Sequence, residues 1–247
     1  MKEAVRRRVA AAWAFRTRVE RDAAERFARI GTAIASFDAG SPVIALMERA
    51  AGDERRHQDL CARLAETYGE RVDDDWSPPA SIVPRGLGPR EGVLYEVVAS
   101  CCITETESVA TVATLLAADA EPAVRSVLHE IARDEVVHGR MGWTHLAREA
   151  TAMDVSFLAR FVPAMLSGTV DDSLFTASAP DPDEAELVRH GVLAPVRKKE
   201  IFVGTLEEVV FPGFERCGID AAPARAWLAS RAEVGSADAS ASRPRAL

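Results

Sequence analysis

The stretch GDERRHQDL (Gly52–Leu60) contains Asp-Glu-x-x-His, and RDEVVHGRM (Arg133–Met141) contains it again. The chain has only five histidines, and two of them stand in this one pattern. On a helix, residues three apart share a face. Glu54 with His57, and Glu135 with His138, therefore each present a carboxylate and an imidazole together. Oxygen and imidazole donors of this kind suit a divalent iron or manganese ion. A buried cation site needs further carboxylates, so the question is what the neighbouring helices supply.

Those helices can be read outward from the motifs. Val5, Val9, Ala12, Val19, Ala23, Phe27, Ile30, Ile34 and Phe37 recur at three and four, which predicts one long amphipathic helix over about 4–38. The stretch DAGSP (Asp38–Pro42) ends it, with Gly40 suited to the turn, Ser41 to an N-cap and Pro42 to a first helical position. A second helix then runs to about Tyr68. Residues 69–90 contain four prolines and three glycines, which forbids a helix and leaves a connection long enough to cross a bundle. A third helix is expected from about Glu91 to Ala118 and a fourth from about Pro122 to Thr151. The expected fold is all-α: two helical hairpins joined by a crossover over residues 1–151, with a C-terminal helical extension over 152–233. Helices are expected there at about 154–167, 184–193, 196–217 and 221–232. Residues 234–247 are low in complexity and read as a disordered tail.

Hairpin geometry then locates the missing acids. The second turn centres near residue 120 and Glu135 lies fifteen residues beyond it, so its partner should lie near 105. Glu105 is there, interrupting an apolar stripe of Val98, Cys101, Cys102, Val109, Val112 and Leu116, whereas Glu107 points elsewhere. In the first hairpin the two criteria differ. Mirroring Glu54 through the turn points to Glu25, which shares a wet side with Arg18, Asp22, Arg29, Thr32 and Ser36. The apolar face points to Glu20, in the company of Trp13, Ala23, Ala24, Phe27, Gly31 and Ile34. A turn centre is uncertain by several residues, and a face error is harder to absorb, so Glu20 is taken and Glu25 stays the alternative. Carboxylates on apolar stripes are costly unless paired or metal-bound. Two Glu-x-x-His pairs plus two lone glutamates at matching depth form the layout of helical-bundle di-iron carboxylate sites.

The phrases ERDAAERFARI, GDERRHQDLC, TETESVATVATLLAADAEPAVRSVL and RDEVVHGRMGW resemble the ferritin-like di-iron superfamily, in particular bacterial ferritin-like proteins with DExxH in both hairpins. The resemblance covers about residues 15–150. It implies a ferritin-like four-helix bundle and a metal set of Glu20, Glu54, His57, Glu105, Glu135 and His138, with Glu54 and Glu135 bridging. It also implies that Asp53 and Asp134 can orient a ligating histidine across the bundle. The expected cofactor is two iron ions, with a manganese–iron pair accepted by the same donors.

The remaining residues narrow the function. The net charge of −8 disfavours nucleic acid. No run approaches a membrane span and no secretory segment is visible. The cysteines (Cys61, Cys101, Cys102, Cys217) form no C-x-x-C pair, so a disulfide scaffold or rubredoxin-type module has no support, and the thiols fit the cytoplasm. Tyr68 and Tyr95 lie far from the proposed ligands, against a tyrosyl-radical role. His145 reads as a core histidine, and His129 and His190 carry no assigned role. The leading expectation is a non-haem di-iron oxidoreductase activating O2 or peroxide for oxidation of a small substrate, with an electron donor and a possible homodimer. A ferroxidase or iron-storage protein and a metal-free helical interaction protein are the alternatives.

Overall fold

The computed structural model describes residues 1–73, 75–176 and 179–241, with side chains as far as residue 231. Among them there is no strand. Helix α1 (Glu3–Ala35) packs along α2 (Pro42–Tyr68), which the short turn returns antiparallel to it. Pro42 opens α2 where its missing N–H costs nothing. Ser41 sits at the N-cap position, but its hydroxyl accepts from Arg148 Nη1 at 3.1 Å instead of capping the helix. Gly69 closes α2 at φ 99°, a left-handed turn that glycine adopts without strain.

The long connection leads to a third helical rod. Its first part is α3 (Pro89–Val97), followed by a π-helical segment (Val98–Thr104) and then α4 (Glu105–Ala117). In the π segment the Thr104 hydroxyl donates to the Ala99 carbonyl at 3.0 Å, five residues back. Helix α5 (Pro122–Ala152) returns along this rod and also packs against α2. The π segment approaches α5 so closely that a Cβ at Gly142 would lie 2.2 Å from Cys101 Cβ.

The C-terminal part is helical but more broken than expected. A 3-10 turn (Ser156–Arg160) precedes α6 (Val162–Thr169), and a second (Asp172–Phe175) follows it. Then come α7 (Glu184–Arg189) and α8 (Pro195–Thr205), a π turn (Leu206–Val210), α9 (Phe211–Arg216) and α10 (Ala222–Ala241). The rod expected over 196–217 thus changes register just before Pro212, whose ring removes a backbone donor. Helix α10 runs into the stretch read as a disordered tail: residues 234–241 are helical. Three of the seven residues of 235–241 are alanine, the strongest helix former. Residues 242–247 lie outside those described.

Three apolar clusters hold these parts together. One joins the N-terminal half of α1 to the C-terminal half of α2, with Leu128 and Ile131 of α5. Another, around Phe27, Ile30, Met47 and Met141, fills the end near the first turn. The third seats the C-terminal helices on the π segment, packing Phe202, Phe211 and Phe214 against Leu94, Cys102 and Ile103. Between the first two clusters lies a polar centre. Among the described residues no helix is long and apolar enough to cross a membrane.

Candidate metal centre

Helix α1 supplies Glu20, and α2 supplies Asp53, Glu54 and His57 one turn apart. Glu105 is the first residue of α4, directly after the π segment. Helix α5 supplies Asp134, Glu135 and His138. All eight side chains are buried, Glu54 and His57 to 0% exposure. The structure brings together all six expected ligands. Glu20, Glu54, His57 and Glu135 each offer a donor atom, and these atoms lie within 4.8 Å of one another. Glu54, Glu105, Glu135 and His138 form a second such group. Glu54 and Glu135 belong to both. Glu25 lies outside, half-buried and 3.4 Å from Arg55 across the hairpin.

The two imidazoles are oriented alike. His57 Nδ1 faces Glu54 at 3.3 Å, Glu135 at 3.7 Å and Glu20 at 3.8 Å. Its Nε2 lies 3.2 Å from Asp134 Oδ2; a carboxylate can only accept there, so Nε2 carries the proton and Nδ1 is turned to the centre. His138 Nδ1 faces Glu54 at 2.9 Å and Glu135 at 3.5 Å, and its Nε2 faces Asp53 at 3.5 Å. Each motif's aspartate therefore stands behind the other motif's histidine. The second contact is looser, for His138 Nε2 makes no hydrogen bond. Arg56 ties the aspartates together, reaching Asp53 at 2.9 Å and Asp134 at 2.5 Å, and Arg133 adds 3.1 Å to Asp134. These cations hold the Asp134 carboxyl well below its ordinary range against the opposing effect of burial. The doubled motif did not announce Arg56, although it stands directly before His57 in the quoted stretch.

Without a cation the electrostatics are unfavourable. Burial, then the Glu20 charge, pushes the Glu54 carboxyl up to about 8. Burial likewise raises Glu105 and Glu135, with neighbouring carboxylates adding to it: Glu135 beside Glu105, and Glu54 beside Glu135. Burial opposes charging of the imidazoles, but Glu20 and Glu54 push His57 up to about 11, and Glu135 and Glu54 do the same for His138. Burial opposes the Glu20 charge too, yet the nearby His57 imidazole and Glu54 carboxyl hold its carboxyl below the ordinary range. Protons are thus shared where the donors converge. Some atoms remain orphaned even so: Glu54 Oε1, Glu135 Oε2 and His138 Nδ1 are buried with no hydrogen-bond partner. The 2.9 Å between Glu54 Oε1 and His138 Nδ1 is an approach too misaligned to be a hydrogen bond. Unpartnered buried donor atoms converging on one point leave room for a cation, so these side chains could hold a metal ion.

The surroundings are dry on two sides. Phe27 packs edge-on against His138 at 5.7 Å between centroids. Cys61 and Cys101 are buried next to the centre, where burial pushes their thiols up, and neither joins a ligand group. His145 is buried and also outside both groups. On the side of Glu20 and Glu105 a cavity of about 270 Å³ reaches Glu54 and Glu135 past Ala23, Phe27, Ser100 and Thr104. His190, assigned no role from sequence, accepts the Tyr68 hydroxyl at 2.9 Å on Nδ1, while its carbonyl takes Trp13 Nε1 at 3.0 Å. No profile of a known protein family and no curated protein matches the chain.

Proposed function

We propose that the chain is a ferritin-like four-helix bundle that binds two iron-group ions and acts as a non-haem di-iron oxidoreductase, using O2 to oxidise a small molecule. The observation that carries this is the pair of overlapping donor groups sharing Glu54 and Glu135. A single ion needs one group; two groups with two carboxylates in common suit a bridged pair. The donors are oxygen and imidazole with no thiolate, a set matched to iron or manganese. The chemistry such a pair supplies when bound is reduction of O2 at the expense of the ferrous state.

The protein's own residues do the rest. Glu54 and Glu135, common to both donor groups, would hold both ions and balance their charge. Asp134 fixes the His57 ring by holding Nε2–H, and Asp53 stands in the same place behind His138. The apolar clusters on either side exclude water from the charged centre. The cavity at Glu20 and Glu105 is the route by which O2 and substrate reach it.

Anaerobic reconstitution with ferrous iron, followed by elemental analysis and O2 uptake, tests the reading. About two iron or manganese ions per chain are expected, with rapid O2 consumption that stops after a few iron equivalents when substrate and reductant are absent. A large closed shell that goes on mineralising iron would assign the protein to storage instead. Zinc alone, or no metal, would remove the reading.

A further inference from the structure

We infer that the protein binds an apolar carboxylic acid in a second cavity next to the candidate metal centre, with the acid group on Arg16 and Lys198. This deepens the function proposed above, and rests on it, by giving it a substrate class. The cavity, of about 420 Å³, shares Phe15, Val19, Glu20, Thr104, Ser108 and Thr169 with the one that reaches the ligands, so the two are adjoining chambers with Glu20 between them. Its wall is largely apolar, with Val112, Leu128, Ile131, Leu174, Leu193 and Phe202. Phe15 and Val19, one turn apart on α1, are 60% and 40% exposed and form an apolar entrance.

Two cations interrupt this wall. Arg16 lies one turn before Glu20, with its guanidinium 4.5 Å above the Trp13 ring. Its Nη1 is buried with no hydrogen-bond partner. Burial holds its pKa below the usual range, and Glu20 and Glu107 act on it only through space, not as hydrogen-bond partners. Lys198 of α8 stands at the rim. Much of the side chain meets solvent, yet burial of its ammonium end, then Arg16, lowers its pKa, as happens when two like charges face one space. Neither cation makes an ion pair among the described residues. Glu107 also lines the cavity, but burial pushes its carboxyl up, and it is held by Thr111 at 2.7 Å and not by either cation.

Of the two acids on the wall, Glu20 turns to His57 at the candidate metal centre and Glu107 is held by Thr111, so neither pairs with a cation. An unpartnered guanidinium nitrogen at an apolar cavity is costly unless a ligand satisfies it. A carboxylate accepts two parallel bonds from an arginine fork. An inorganic anion would satisfy the charge but leave the apolar chamber unfilled. A chain-bearing acid does both. One helical turn, about 6 Å, separates Arg16 from Glu20. The carbons just beyond the acid group are thereby carried towards the metal ligands.

Calorimetry with octanoate, and with octanol as its uncharged match, tests this on the full chain with iron content measured in the same sample. Octanoate is expected to bind, octanol more weakly. Arg16→Gln should weaken octanoate by roughly tenfold or more, as for loss of a charge-assisted hydrogen bond, and leave octanol binding unchanged. Lys198→Gln, at the exposed rim where a polar replacement leaves the core untouched, should weaken octanoate in the same direction by a smaller factor. The inference is overturned if wild-type protein does not bind octanoate at millimolar concentration, or if octanol binds as well as octanoate. It is overturned equally if inorganic phosphate competes as well as the acid, or if both variants bind octanoate like wild type. Protein that binds octanoate but retains no iron would sink the di-iron reading and keep the acid site; the converse would separate them the other way.

Discussion

Glu20 and Glu25 stand five residues apart on α1, and their surroundings differ in kind. Glu20 reaches into the centre from the face that also carries Trp13, Ala24 and Phe27, all buried. Glu25 pairs with Arg55 across the exposed side of the hairpin, a pair of the type that contributes little. Glu20→Ala should therefore lose at least one metal ion per chain, as read by elemental analysis after iron reconstitution, and Glu25→Ala should load like wild type. The reverse result would mean that α1 sits rotated on α2. Facial company agrees with the placement of Glu20 beside Glu54, His57 and Glu135; the turn-mirror estimate, which pointed to Glu25, assumes a symmetric turn. Helix α1 in fact ends at Ala35, six residues before the N-cap Ser41, so the turn is longer and less regular than a mirror plane allows.

At the scale of elements, the π segment is the feature on which the site depends most. It widens the rod just before Glu105 and brings Cys101 against α5 at Gly142. Alanine at 142 would add a Cβ 2.2 Å from Cys101 Cβ and 3.1 Å from its backbone carbonyl carbon. Neither atom is the end of a flexible side chain, so a rod must move. Overpacking costs about 1–3 kcal/mol, against about 1 kcal/mol that alanine gains over glycine in a helix. The clash involves backbone, so the cost prevails: Gly142→Ala should lower the thermal midpoint by roughly 2–8 °C. At Gly52 of α2 an added Cβ would meet nothing within 4 Å, so Gly52→Ala should raise the midpoint slightly. Equal shifts for the two would show that no close approach exists at Gly142. None of this was legible in the sequence, since Val98–Thr104 has an ordinary helical pattern and its register depends on what packs against it.

On the scale of the whole molecule, four carboxylates and two imidazoles sit between two apolar clusters, and the C-terminal helices close the side of the π segment. Burying such charges is tolerable when a cation balances them and costly when it does not. Removing metal with a chelator should therefore lower the thermal midpoint. At free metal a hundredfold above Kd the bound state gains about 2.7 kcal/mol, which for a chain of this size is a shift of roughly 5–10 °C. Differential scanning calorimetry of the iron-loaded and chelated protein checks this, and coincident midpoints would speak against a metal in the centre.

The sequence by itself determined the helices and the ligand candidates. A period of 3.6 residues places Glu54 with His57 and Glu135 with His138 on shared faces, and that geometry is local to each helix. Hairpin turns of a few residues leave the partner helix little freedom, which is why Glu105 could be located by counting. Only the tertiary structure decided how the faces meet. The crossed placement of Asp134 behind His57 and Asp53 behind His138, the position of Arg56 between the aspartates, and the two donor groups sharing Glu54 and Glu135 all depend on the depth at which α2 packs on α5. The cavity at Arg16 and Lys198 needs α8 to fold back over α1 and α4, nearly two hundred residues along the chain from Arg16. Such distances are set by side-chain packing between elements, and no spacing within one element encodes them.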